Sequence, residues 1–113
     1  MQCRNGLGKR IGRIYNGATL TGYEGTWVHL ACTYSGNNAS SGIKLFVNCV
    51  RVDDANSEAL PYTGMTNTAE PLYIGSDGTG VYAEGKMDEA SLWDIELNLQ
   101  DLKRIMLGLH PLV

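Results

Sequence analysis

Short apolar-rich runs, punctuated by Gly, Asn, Asp and Ser, follow one another from the N-terminus to Trp93. That rhythm marks an all-β chain whose short strands are joined by tight turns. Residues 9–15 and 18–23 predict two strands, and Asn16-Gly17 between them is a two-residue hairpin signal because both turn positions need positive φ. Residues 26–34 carry apolar side chains on both faces, which predicts a central strand covered on both sides with Trp27 in the core. Residues 35–42 form a polar loop of small residues. Within it, Asn38-Ala39-Ser40 is a glycosylation sequon, relevant if the chain follows a eukaryotic secretory route.

The sharpest pattern is a hairpin with strands at residues 43–47 and 50–54 and a turn at Asn48-Cys49. A two-residue turn sets Val47 opposite Val50, Phe46 opposite Arg51, Leu45 opposite Val52 and Lys44 opposite Asp53. Leu45, Val47, Val50 and Val52 then form one apolar face. The other face carries a Phe46–Arg51 stack and a Lys44–Asp53 charge pair. Residues 55–70 are irregular and polar, residues 71–76 predict a short strand, and residues 85–94 predict the last long strand. After Trp93 the period changes from two to that of a helix. Leu102, Ile105, Met106 and Leu109 make one apolar stripe, Asn98 is placed to cap it, and Asp101 completes a capping-box arrangement. Lys103 and Arg104 suit the C-terminal end of the dipole, and Gly108 and Pro111 stop the helix.

Composition narrows the field. A chain of 113 residues accommodates one domain, and 43% hydrophobic with 19% charged residues suits a packed core. The net charge of -3 argues against a nucleic-acid partner, which would require a basic surface. Arg4, Lys9, Arg10 and Arg13 crowd the N-terminus and fit a charge-guarded edge strand. No apolar run is long enough to span a membrane and nothing resembles a signal peptide, so no membrane insertion is expected and localisation stays open. The three cysteines, Cys3, Cys32 and Cys49, make no Cys-x-x-Cys pair and no disulfide framework. Cys32 should face Leu45 rather than Cys49, which disfavours a bridge between the two cysteines.

Four stretches in this order resemble the laminin-G-like jelly roll of the concanavalin A-like lectin/glucanase and pentraxin group. They are Gly25-Thr26-Trp27-Val28-His29-Leu30-Ala31-Cys32-Thr33-Tyr34, Lys44-Leu45-Phe46-Val47-Asn48-Cys49, Pro71-Leu72-Tyr73-Ile74-Gly75 and Gly85-Lys86-Met87-Asp88-Glu89-Ala90-Ser91-Leu92-Trp93-Asp94. The short helix after Asn98 matches as well. The resemblance implies one antiparallel β-sandwich over residues 1–113 with a short C-terminal helix. It also implies that N-terminal strands of the complete jelly roll, typically eight strands, are missing or shortened. Where the family has Gly, this chain has Cys49, at a turn position that favours positive φ.

The chemistry follows from what is and is not grouped. Asp88-Glu89 and Asp53-Asp54 are adjacent carboxylates, and regular strand alternation would point the members of each pair to opposite faces. Neither pair is then a glycosidase dyad, and no catalytic residue is expected. His29 reads as a packed, hydrogen-bonded histidine. The resemblance implies that Asp88 helps hold a structural calcium ion; the residues themselves also fit a carboxylate bonded to loop amides. The rim loops, residues 35–42, 56–70 and 76–82, supply Tyr62, Asp77, Tyr82, Asn37 and Asn67 as an aromatic-plus-polar set suited to a glycan or protein ligand. The expectation is a non-catalytic recognition module, normally part of a larger surface or secreted protein. The alternatives are a structural domain that pairs with itself or a neighbour, and an enzyme accessory fragment without chemistry of its own. With so short an N-terminal part, uncovered edges and apolar face favour a homo-oligomer.

Overall fold

The computed structural model describes residues 1–16, 20–66, 69, 71–76 and 78–112. Six short strands and one helix are placed: β1 (Gln2–Arg4), β2 (Arg10–Ile14), β3 (Leu30–Tyr34), β4 (Ile43–Val47), β5 (Val50–Arg51), β6 (Ala55–Asn56) and α1 (Leu99–Met106). They form two antiparallel three-stranded sheets, ordered β1-β2-β6 and β3-β4-β5. The expected β-sandwich with a single short C-terminal helix is thus what the chain builds.

The β4–β5 hairpin has the register its sequence dictates, with Val47 opposite Val50 and Phe46 opposite Arg51. Val52 continues it by donating its N–H to the Leu45 carbonyl at 2.9 Å. Both turn residues adopt the left-handed backbone, Asn48 at φ 48° and Cys49 at φ 62°. A non-glycine residue there costs about 1 kcal/mol. The tip is tied down in return: His29 N–H donates to Asn48 Oδ1 at 2.9 Å, and Asn48 N–H donates to the His29 carbonyl at 2.8 Å.

The β3-β4-β5 sheet is packed on both faces. On one side Ile43 joins Cys3, Ile11 and Tyr62, with Tyr34 and Leu45 against them, so the N-terminal sheet closes this face. On the other side Phe46 and Cys49 meet Leu97 and Leu102, with Ala31 and Ile105 alongside. α1 therefore forms a third layer. It is capped as its sequence requires, with Asn98 Oδ1 accepting the Asp101 N–H at 3.0 Å. Met1 to Tyr23 supplies two strands of the covering sheet, β1 and β2. Ser40, buried in the following loop, stitches the sheets together by accepting the Gly12 N–H at 3.1 Å.

Several sequence expectations are corrected. Residues 20–23 form a 3-10 turn, not the end of a strand, and Gly17 of the expected Asn16-Gly17 turn lies outside the described residues. Trp27 is not in the core: it is 69% exposed and precedes β3, which starts at Leu30. The reason is pairing, since β3 is matched by β4 only from Val47 back to Ile43, and beyond Val47 the partner chain turns. The apolar face of the hairpin is only partly covered, with Val47 buried and Val50 65% exposed. Residues 71–76 and 85–94 do not form strands; among the described residues the pairing there is a single bridge between Ser76 and Tyr82. Lys44 does not pair with Asp53 but with Glu96, at 2.6 Å.

Candidate ligand-binding groove

β3 is the outer strand of its sheet. The bonds from Asn48 N–H to His29 and from Ser35 N–H to Gly42 fix the phase of the ladder. In an antiparallel pair such bonds fall on alternate residues. His29, Ala31, Thr33 and Ser35 therefore turn their main-chain groups toward β4. Leu30, Cys32 and Tyr34 turn theirs outward, where no partner strand lies among the described residues. Along this open edge the segment carrying residues 87–97 runs close by without pairing, and two hollows remain between them.

The larger hollow, about 750 Å³, is walled by Trp27, His29, Asn48, Asp88, Glu89 and Ser91, with Ile74, Met87 and Met106 supplying apolar surface. The neighbouring one, about 630 Å³, continues along β3 from His29 to Tyr34 and faces Leu92, Trp93 and Ile95. His29 and Leu30 belong to both, so the two form one groove. Glu89 has φ 51°, and Asp88 Oδ1 accepts the Glu89 N–H at 2.8 Å. That left-handed kink breaks strand alternation. Asp88 and Glu89 consequently line the same hollow, where alternation had sent them to opposite faces. The groove thus combines an exposed indole, two carboxylates, an imidazole and a carboxamide, the mixture that binds polyhydroxylated or mixed polar–apolar ligands.

The other residues singled out from sequence are dispersed. Tyr62 is not at the rim but 7% exposed within the first core, and its burial pushes the phenol pKa up. Asn37 structures its own loop, its Oδ1 accepting the Ala39 N–H at 3.1 Å. Tyr82 is exposed on the far loop, bridged to Ser76. Asn67 and Asp77 lie outside the described residues. Asp88 alone of the set lies in the groove. Sequence reasoning misses Trp27, His29, Asn48 and Glu89, because the first two read as strand core and the others as turn or opposite face.

Among the described residues, no three His, Cys, Asp or Glu side chains gather as a metal site, and no helix is long and apolar enough to cross a membrane. For calcium, which takes six to eight oxygen ligands, Asp88 and Glu89 would supply only the carboxylate share.

Residues 7–103 match the family model described as the concanavalin A-like lectin/glucanases superfamily, of laminin-G type. The chain belongs to this family. Comparison with curated proteins and with solved structures yields no match. Membership supports, in general terms, a carbohydrate- or protein-binding domain on a fold that is typically non-catalytic.

Proposed function

We propose that this chain is a non-catalytic recognition module that binds a carbohydrate through the groove between Trp27 and the Asp88-Glu89 kink. The observation that carries it is the sharing of one hollow by the exposed Trp27 and the polar groups of His29, Asn48, Asp88, Glu89 and Ser91. A sugar ring stacks its C–H face on an indole while its hydroxyls bond to carboxylates and amides, and this geometry offers both kinds of contact. Calcium at Asp88 belongs to the same proposal. Asp88, Glu89 and main-chain carbonyls would hold it, and sugar hydroxyls would complete its oxygen shell. The module works as part of a larger secreted or surface protein. Screening the wild type and Trp27→Ala on a glycan array, with calcium and with chelator, tests the reading. Binding by the wild type and its loss in the variant support it; equal binding by both overturns it.

A second reading, self-association, has its own support. The outward main-chain groups of β3 are unpaired by any described strand, and Leu30, Leu92, Trp93 and Ile95 are exposed beside them. Such an edge is a template for adding a strand from another copy. Light scattering on a sizing column distinguishes a dimer from the 12.3 kDa chain.

A further inference from the structure

The hairpin tip that closes one end of the groove carries a second kind of chemistry. Cys49 Sγ lies 3.9 Å from His29 Nδ1 and 3.8 Å from Met106 Sδ. The three side chains come from three different parts of the fold: the stretch entering β3, the β4–β5 turn and the last turn of α1. Cys49 is 6% exposed, and it holds a left-handed backbone that glycine would adopt without strain. A strained residue at a sharp turn is worth keeping where its side chain has a task. Neither sulfur–nitrogen nor sulfur–sulfur contact is a strong hydrogen bond at these lengths.

We propose that Cys49, His29 and Met106 form a three-coordinate site for one soft monovalent metal ion of the Cu(I) type. Thiolate, thioether and imidazole together are the donors that select such an ion over calcium, magnesium or manganese. The spacing fits. With metal–sulfur bonds of about 2.3 Å and a metal–nitrogen bond of about 2.0–2.1 Å at trigonal angles, ligand atoms stand about 3.8–4.0 Å apart. The two separations measured from Cys49 Sγ lie within that range. Charge favours a monovalent over a divalent ion. Binding replaces the thiol proton by the metal, Cys–SH + M⁺ giving Cys–S–M + H⁺, with no change in oxidation state. The thiolate–ion pair is then neutral at a half-buried site, whereas a divalent ion would carry one further positive charge there. Met106 and His29 also line the larger hollow, which gives the ion a route in. The site shares His29 with the carbohydrate reading but takes its sulfur donors from Cys49 and Met106, which that reading does not use, so Met106→Leu and Cys49→Ser separate the two.

The test uses Ag(I), and Cu(I) buffered by a colorimetric chelator under anaerobic conditions, on reduced protein. Cys3→Ser/Cys32→Ser serves as background, so that the exposed Cys32 thiol does not bind on its own account. One equivalent of metal per chain is expected. Met106→Leu and His29→Gln should each weaken binding about tenfold or more with unchanged circular dichroism, and Cys49→Ser should abolish it. X-ray absorption at the copper edge should show two sulfur and one nitrogen neighbours. Failure of the background protein to compete with the chelator overturns the site. So does equal affinity in Met106→Leu and His29→Gln, which would reduce it to a bare thiol. Should Cys49→Ser fail to fold, the two other variants and the absorption spectrum still decide.

Discussion

Arg13 of β2 reaches across from one sheet to the carboxylate of Asp53, with Nε donating to Oδ2 at 2.9 Å. Arg51, two residues before it at the end of β5, grips the same carboxylate, Nε to Oδ1 at 2.9 Å, and the Leu45 N–H donates to Oδ1 at 2.9 Å. The Asp53 side chain is fully buried beneath the two guanidinium groups. It is the polar junction at which the N-terminal sheet locks onto the hairpin. Removing it leaves Arg13, itself mostly buried, without its partner. Asp53→Asn should cost about 2–4 kcal/mol, since breaking a buried pair leaves a charge uncompensated. Urea unfolding of the two proteins checks this.

The same carboxylate sets a pH dependence. The Arg51 hydrogen bonds first, then the Leu45 N–H and Arg13, outweigh burial and hold Asp53 well below the usual carboxylate range. A depressed folded-state pKa contributes stability that is complete above the unfolded value, near about 3.9, and is lost as pH falls through the folded one. The wild type should therefore lose stability progressively below about pH 5, more steeply than Asp53→Asn does. Thermal melts between pH 2 and 7, as a range of buffers, would show parallel curves for the two proteins if the linkage were absent.

Phe46 anchors the face covered by α1, against Leu97 and Leu102. Phe46→Ala should cost about 3–5 kcal/mol, the scale of aromatic truncation in a core. Trp27→Ala, at an exposed position, should cost under about 1 kcal/mol. Denaturant midpoints compared side by side test the inversion, because the sequence alone places Trp27 in the core.

Asn98 caps the helix that closes this second face. Asn98→Ala should lower stability by about 1 kcal/mol, and Asn98→Ser should recover most of it. The same unfolding measurements report both.

Local chemistry was legible where neighbours in sequence are neighbours in space. The β4–β5 register follows from alternation and turn residues that agree, and α1 follows from its cap and stripe. The sheets were harder to read, because strand character in residues 71–76 and 85–94 needs a partner that no local pattern names. Trp27 failed for the same reason, being apolar in a β-prone run whose partner had already turned at Asn48. Hairpin geometry alone pairs Asp53 with Lys44, whereas Arg13 arrives through tertiary folding. Of the residues lining the groove, the sequence singles out only Asp88. The kink at Glu89 that brings both carboxylates into one hollow depends on a backbone conformation that strand alternation does not anticipate.

The groove reading is tested most directly by nuclear magnetic resonance of isotope-labelled protein titrated with the strongest glycan from the array. The Trp27 indole N–H and the amides of His29, Asn48, Asp88 and Glu89 should shift together and saturate with one affinity, while Asn37 and Tyr82 stay in place. Shifts confined to the loops around Asn37 and Tyr82, or no glycan that moves the Trp27 indole at all, would contradict it.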